Sequence, residues 1–136
     1  MSFSAVCFAI LTELSTDMST YAWEHGWLDE PPQRRDRGFV WGMRVGENPE
    51  DTNTEIVEIG IRMFPNFQQQ RGHPRVSTVF EDAAESLQSA LKDKQTIIPQ
   101  NAGYWFMRVT EIVIDQELQR VDATVLMWGD NTFAQQ

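Results

Sequence analysis

Between Thr54 and Phe64 the chain places Val57, Ile59, Ile61 and Met63 at every second position, with Glu58, Gly60 and Arg62 between them. Side chains of an extended chain point alternately to its two faces, so this is a strand with one face against a core. Pro65 ends it. Upstream, Phe39, Trp41, Met43 and Val45 alternate with Val40, Gly42 and Arg44, which predicts a partner strand. Gly46–Asn53 reads as a polar loop between the two, so the segment predicts a hairpin with a projecting acidic loop. Gly60 inside the second strand marks a bulge or the close approach of another backbone.

A second hairpin is predicted near the end of the chain. Tyr104–Ile114 is aromatic and β-branched, Asp115–Arg120 is a polar turn, and Val121, Ala123, Val125 and Met127 alternate with Asp122, Thr124, Leu126 and Trp128. Two helical stripes complete the pattern. Phe3, Val6, Cys7, Ile10, Leu11 and Leu14 within Phe3–Met18 have helical spacing, with a buried strand as the competing reading. Phe80, Ala83, Ala84, Leu87, Ala90 and Leu91 form the stripe of a helix over Val79–Leu91. Thr78 with Glu81 makes a capping box, and Glu81, Asp82 and Glu85 near the start with Lys92 and Lys94 near the end suit the helix dipole. Ser19–Gly38, which holds Tyr21, Trp23, Trp27, Pro31 and Pro32, reads as a long loop, and Asn66–Arg75 as an irregular stretch with glutamines at 68–70. The expected fold is α+β in the order α-β-β-α-β-β: a four-stranded antiparallel sheet of two hairpins packed on two helices. With 136 residues, 1–136 is expected to be a single domain.

Composition narrows the function. A net charge of −9 argues against electrostatic binding to nucleic acid or anionic membrane as the main activity. The apolar run Phe3–Leu11 is too short to span a bilayer and lacks the preceding positive charge of a signal peptide. A single cysteine cannot form an internal disulfide, and the expectation is a soluble protein of a reducing compartment.

No residue pattern demands catalysis, and none of catalytic, cofactor or metal type is assigned. His25 lies near Glu24, Asp29 and Glu30 in a Pro-rich loop without metal-ligand spacing, and reads as a surface or packed histidine. His73 sits among arginines and precedes a proline, as a solvated loop residue would. Asp115 and Glu117 fall in a turn, where acids are common, with nothing apolar around them to raise a pKa. Cys7 reads as a small core residue. No glycine-rich phosphate loop is present.

The charge layout is more informative. Glu47, Glu50, Asp51, Glu55 and Glu58 follow one another with no basic residue among them, while Arg34, Arg35 and Arg37 form a basic cluster relieved only by Asp36. Arg62, Arg71 and Arg75 make a second basic stretch, and nine of the eleven basic residues are arginine, the better partner for interfacial carboxylates. Solvated loops are one reading. The other is that Glu47, Glu50, Asp51 and Glu55 of one subunit meet Arg34, Arg35, Arg37, Arg71 or Arg75 of the next, head to tail, so that a ring closes.

The order of elements resembles the tail terminator proteins of long-tailed bacteriophages, and related neck and tail-completion proteins. The matching parts are the helix around Ile10–Leu14, the hairpin strands Phe39–Val45 and Thr54–Phe64, the helix Val79–Leu91 and the closing strand ending Val125-Leu126-Met127-Trp128. The 19–38 loop has no counterpart in that pattern. The resemblance implies a structural virion protein rather than an enzyme, assembled in the host cytoplasm. It would form a homohexameric ring that caps the tail tube and joins it to the head, with tail-tube and neck proteins as partners. No cofactor would be needed, and DNA would be only passing cargo, for which an acidic wall offers few cations to grip. A small acidic inhibitor that mimics DNA phosphates is the alternative from a different class.

Overall fold

A computed structural model describes residues 3–66 and 76–130. The chain runs α1 (Phe3–Asp17), β1 (Ala22–His25), β2 (Arg37–Asn48), β3 (Asp51–Phe64), α2 (Val76–Asp93), α3 (Ile97–Ala102), β4 (Phe106–Asp115) and β5 (Arg120–Asp130). The strands form one sheet in the order β1-β2-β3-β5-β4, and the helices share an apolar core with one of its faces. Val57, Ile59, Ile61 and Met63 are fully buried there, as their alternation requires, together with Val121, Val125 and Met127 of β5. Ile10 and Leu14 of α1 and Leu87 and Leu91 of α2 close over them.

The sheet is five-stranded and mixed, not four-stranded and antiparallel, because the expected loop 19–38 contains β1, which pairs with β2 in parallel, Ala22 opposite Arg37 and His25 opposite Val40. Trp23 fixes this strand. Its indole N–H donates to the Met18 carbonyl at 3.1 Å, and its ring lies on Gly38, where any Cβ would collide with it. Four residues are too few to display a period, so nothing in the alternation betrays β1. A third helix was likewise not expected. α3 is six residues long and carries Pro99 in its first turn, where a missing N–H costs no helical bond. Gly103 ends it in the left-handed region (φ 82°) and donates to the Gln100 carbonyl, and the Tyr104 N–H reaches Pro99 O at 2.7 Å.

Three further expectations are corrected. α2 starts at Val76, so Thr78 lies inside the first turn rather than capping it, and the first turn holds no acid. Glu81 and Asp82 therefore sit beyond the reach of the dipole, which fades within one turn. Gly60 is not a bulge: it pairs regularly with Trp41 and Thr124, and the space of its missing side chain is filled by the Trp41 indole. The register also skips Thr52–Thr54 of β3 between Glu47 and Asn48, and single-residue bulges fall at Met43 in β2 and Thr110 in β4. Each adds one residue and reverses the parity of its strand. Val40 and Gly42 face the helices before the first bulge and Val45 after it, so Phe39 and Trp41 do not share a face with Val45 as a plain alternation implies.

Cys7 is wholly buried in α1, and burial pushes its thiol up to about 11 from 9.0. Between those values the unfolded chain is deprotonated and the folded one is not, so this site's contribution is present below pH 9 and is lost as pH rises towards 11. At pH 8 the native protein is expected to resist Ellman's reagent, with its one thiol appearing only in urea. Rapid labelling of the folded protein would show the α1 face to be open.

Candidate assembly surface

The face of the sheet opposite the helices is divided. Half is covered by the segment from Gly26 to Asp36, held down by two arginines. Arg62 projects outward from β3 and is only 10% exposed. Its guanidinium bonds both oxygens of Asp122 at 2.7 and 3.3 Å, donates to Leu28 O at 2.9 Å and meets Asp29 Oδ1 at 3.4 Å. It also lies 5.2 Å from the centre of the Trp41 ring. Arg120 shares Asp122 at 3.2 Å and donates to Asp29 O at 2.8 Å. An alternation read from sequence puts Arg62 in solvent. The covering segment turns it into a buried anchor, and its only sequence signal is Asp122, which the pairing of β3 with β5 sets directly opposite.

The other half is open among the described residues. Across it run Ile56, Trp128 and Phe106 in one row, with Phe106 and Trp128 in tilted ring contact at 5.2 Å. Phe106 is 54% exposed and the adjacent Trp105 59%. Beside this row Arg44 pairs with Glu58 at 3.2 Å, so the acidic stretch does have an internal basic partner.

The expected loop Gly46–Asn53 is in fact the tip of the β2–β3 hairpin. The strands continue to Asn48 and resume at Asp51, leaving only Pro49 and Glu50 as the turn. Among the described residues β5 pairs with β3 only from Thr54, so Asn48–Asn53 reach past the last described residue of β5. Asp51 organises it: one carboxylate oxygen accepts the Asn53 N–H at 3.0 Å and the other the Thr54 hydroxyl at 2.9 Å. Glu50 is exposed at the turn, and Glu47 is exposed opposite Glu55.

Glu55, expected at a subunit contact, is buried. It is 1% exposed on the helix side and accepts the Tyr104 hydroxyl, whose ring crosses Gly129 to reach it. Burial and the Glu55 carboxylate together push the Tyr104 hydroxyl well above its ordinary pKa. The arginines are also less available than their spacing implies. Arg37 pairs with Glu24, Arg35 donates to Gln119 at 2.6 Å, and of this cluster only Arg34 is exposed. Arg71, Arg75 and His73 lie outside the described residues. Within one chain the acidic tip and the Arg34–Arg37 cluster are not brought together: they stand at opposite ends of β2, about 35 Å apart along the strand.

A third acidic feature was not foreseen. Asp17 at the end of α1 and Asp82, Glu85 and Asp93 of α2 line an open groove of about 820 Å³, with Lys94 beside them bonded to Glu13 at 3.4 Å. The spacing of acids along α2 was visible in the sequence; their meeting with Asp17 depends on how the helices pack.

His25 is exposed and makes an edge contact with Phe8. Asp115 accepts the Leu118 N–H at 2.9 Å and closes the β4–β5 turn. Among the described residues no three of His, Cys, Asp and Glu stand close enough to hold a metal, and no helix is long and apolar enough to cross a membrane. No protein-family model and no curated protein matches this chain, so any function must be argued from its own surfaces.

Proposed function

We propose that the chain is a structural subunit of a phage or phage-like tail, a tail terminator or neighbouring neck ring, that acts by assembling with copies of itself. The carrying observation is the polarity of β2: arginines gather at one end and an acidic hairpin tip stands at the other. A subunit with opposite charges at opposite ends favours a heterologous contact, and a heterologous contact whose rotation closes makes a ring rather than a filament. Arg34 is the exposed member of the basic end, and Glu47, Glu50 and Asp51 are exposed acids of the tip. The same acids suit a channel wall if the tip points inward, where they would repel DNA phosphates.

Native mass spectrometry of the purified protein tests this. The expected species is a closed, hexameric ring. Glu47→Lys with Glu50→Lys should shift it to smaller species if the tip is at the contact; Asp51 is left alone because it builds the turn. Higher salt should weaken the same contact, since exposed pairs are screened over about 8 Å at 0.15 M. Rings that survive both treatments place the tip at the channel. A wild-type chain that never exceeds two subunits removes the ring. It also puts the DNA-mimic reading ahead, which the carboxylates of the α1–α2 groove favour.

A further inference from the structure

β4 forms one edge of the sheet, with β5 on one side and no strand on the other among the described residues. An open edge offers a row of backbone donors and acceptors to any strand that can lie against it. α2 does not close this edge. Two hollows of about 340 and 320 Å³ lie along it, the first lined by Leu91, Lys92, Met107 and Val109, the second by Gln88, Thr110 and Ile112. The strand is also unusually apolar for an exposed edge, with Phe106 and Val113 54% and 47% exposed.

The charges on the edge identify the partner. Arg108 and Glu111 are exposed and form no ion pair among the described residues. The bulge at Thr110 places both on the outer face, with Phe106 and Val113, while Met107 and Ile112 face the helices. A second copy turned by a two-fold axis normal to the sheet keeps outer face with outer face. Opposed residues must then match in side as well as chemistry. One register achieves this for the residues that flank the bulge. Arg108 of each copy falls opposite Glu111 of the other, Phe106 opposite Val113, and Met107 opposite Ile112. A slip of one step in either direction sets Arg108 against Val113, or Phe106 against Glu111.

We propose that β4 is a self-pairing edge, through which two copies of this chain join their sheets antiparallel with two Arg108–Glu111 pairs at the seam. Charges on an edge strand deter indiscriminate pairing; here they are neutralised only by the chain's own sequence in this register. The contact is isologous and lies on a different strand from the hairpin tip, so it stands or falls independently of the ring.

Sedimentation equilibrium at pH 7 reads it directly, with circular dichroism confirming that each variant is folded. The wild-type mass should correspond to an even number of subunits. Arg108→Glu or Glu111→Arg replaces two attractive contacts by two repulsive ones, and each alone should weaken the pairing about tenfold or more and halve the mass near the dissociation midpoint. The double variant Arg108→Glu/Glu111→Arg should restore it. A monomeric wild type, a mass indifferent to both single reversals, or a double variant that stays apart would each overturn the proposal. None of these outcomes depends on the hairpin tip, so loss of the ring and loss of this pair are separately visible.

Discussion

Asp122→Ala is expected to destabilise the fold by about 3 kcal/mol, measured as a shift of the urea midpoint at unchanged slope. The cost arises at Arg62, which is 10% exposed and loses its closest acceptor, at 2.7 Å, together with the second carboxylate oxygen at 3.3 Å. A buried guanidinium without its carboxylate retains its desolvation penalty and little of the compensation. The value sits at the low end for a broken buried pair because Leu28 O and Asp29 stay within reach and Asp122 is itself 29% exposed. Arg120 loses a partner in the same substitution. Arg62→Met should cost less than Asp122→Ala, since it removes the charge while keeping much of the apolar stem. If Asp122→Ala moves stability by less than about 1 kcal/mol, below the range of a broken buried pair, the covering segment is not anchored as described.

Leu87→Ala should cost about 2–5 kcal/mol, the range for a buried leucine that leaves a cavity. Leu87 has no exposed surface and lies in the middle of the α2 stripe against the sheet. Val125 and Met127 of the same core sit on β5, which is paired on both sides, so that part of the backbone resists moving in to fill the space. The upper half of the range is expected, and Leu87→Met, which keeps the volume, should recover most of it, with a loss under about 1.5 kcal/mol. Thermal unfolding of both variants separates a cavity from a general intolerance of substitution at this site.

The parts of the fold that repeat over several turns or strand pairs were legible in the sequence. The stripe Val6–Leu14, the stripe Phe80–Leu91 and the alternation Val57–Met63 all reach the core as spaced. Burial of one face forces periodicity on a long element, and that is what can be read. β1 and α3 are too short to carry a period: what holds them is tertiary, the Trp23 ring on Gly38 and the cap at Gly103. The charges were legible only as clusters. Whether an acid is a surface residue depends on which side of a strand it takes, and on what is laid over that side. Glu55 turns inward to Tyr104 while Glu50 stays out. Arg62, outward by alternation, is covered by a segment that sequence alone left unplaced. The outer-face row of Ile56, Trp128 and Phe106 was hidden for a related reason: its members come from three strands whose order in the sheet is not their order in the chain.

The bulges at Met43 and Thr110 mark where the chain tolerates a change of length. In β2 the partners Gly42↔Ile59 and Arg44↔Glu58 are already consecutive on β3, and in β4 Val109↔Val125 and Glu111↔Thr124 are consecutive on β5. Deleting the codon for Met43 or Thr110 would thus leave every flanking side chain on its present face and only straighten the strand. Loss of another single residue from the regularly paired stretches of these strands would turn the remainder over, carrying core residues into water. Across descendants of this sequence, in-frame single-codon gaps within β2 and β4 should therefore collect at these two positions, with strand length otherwise held constant.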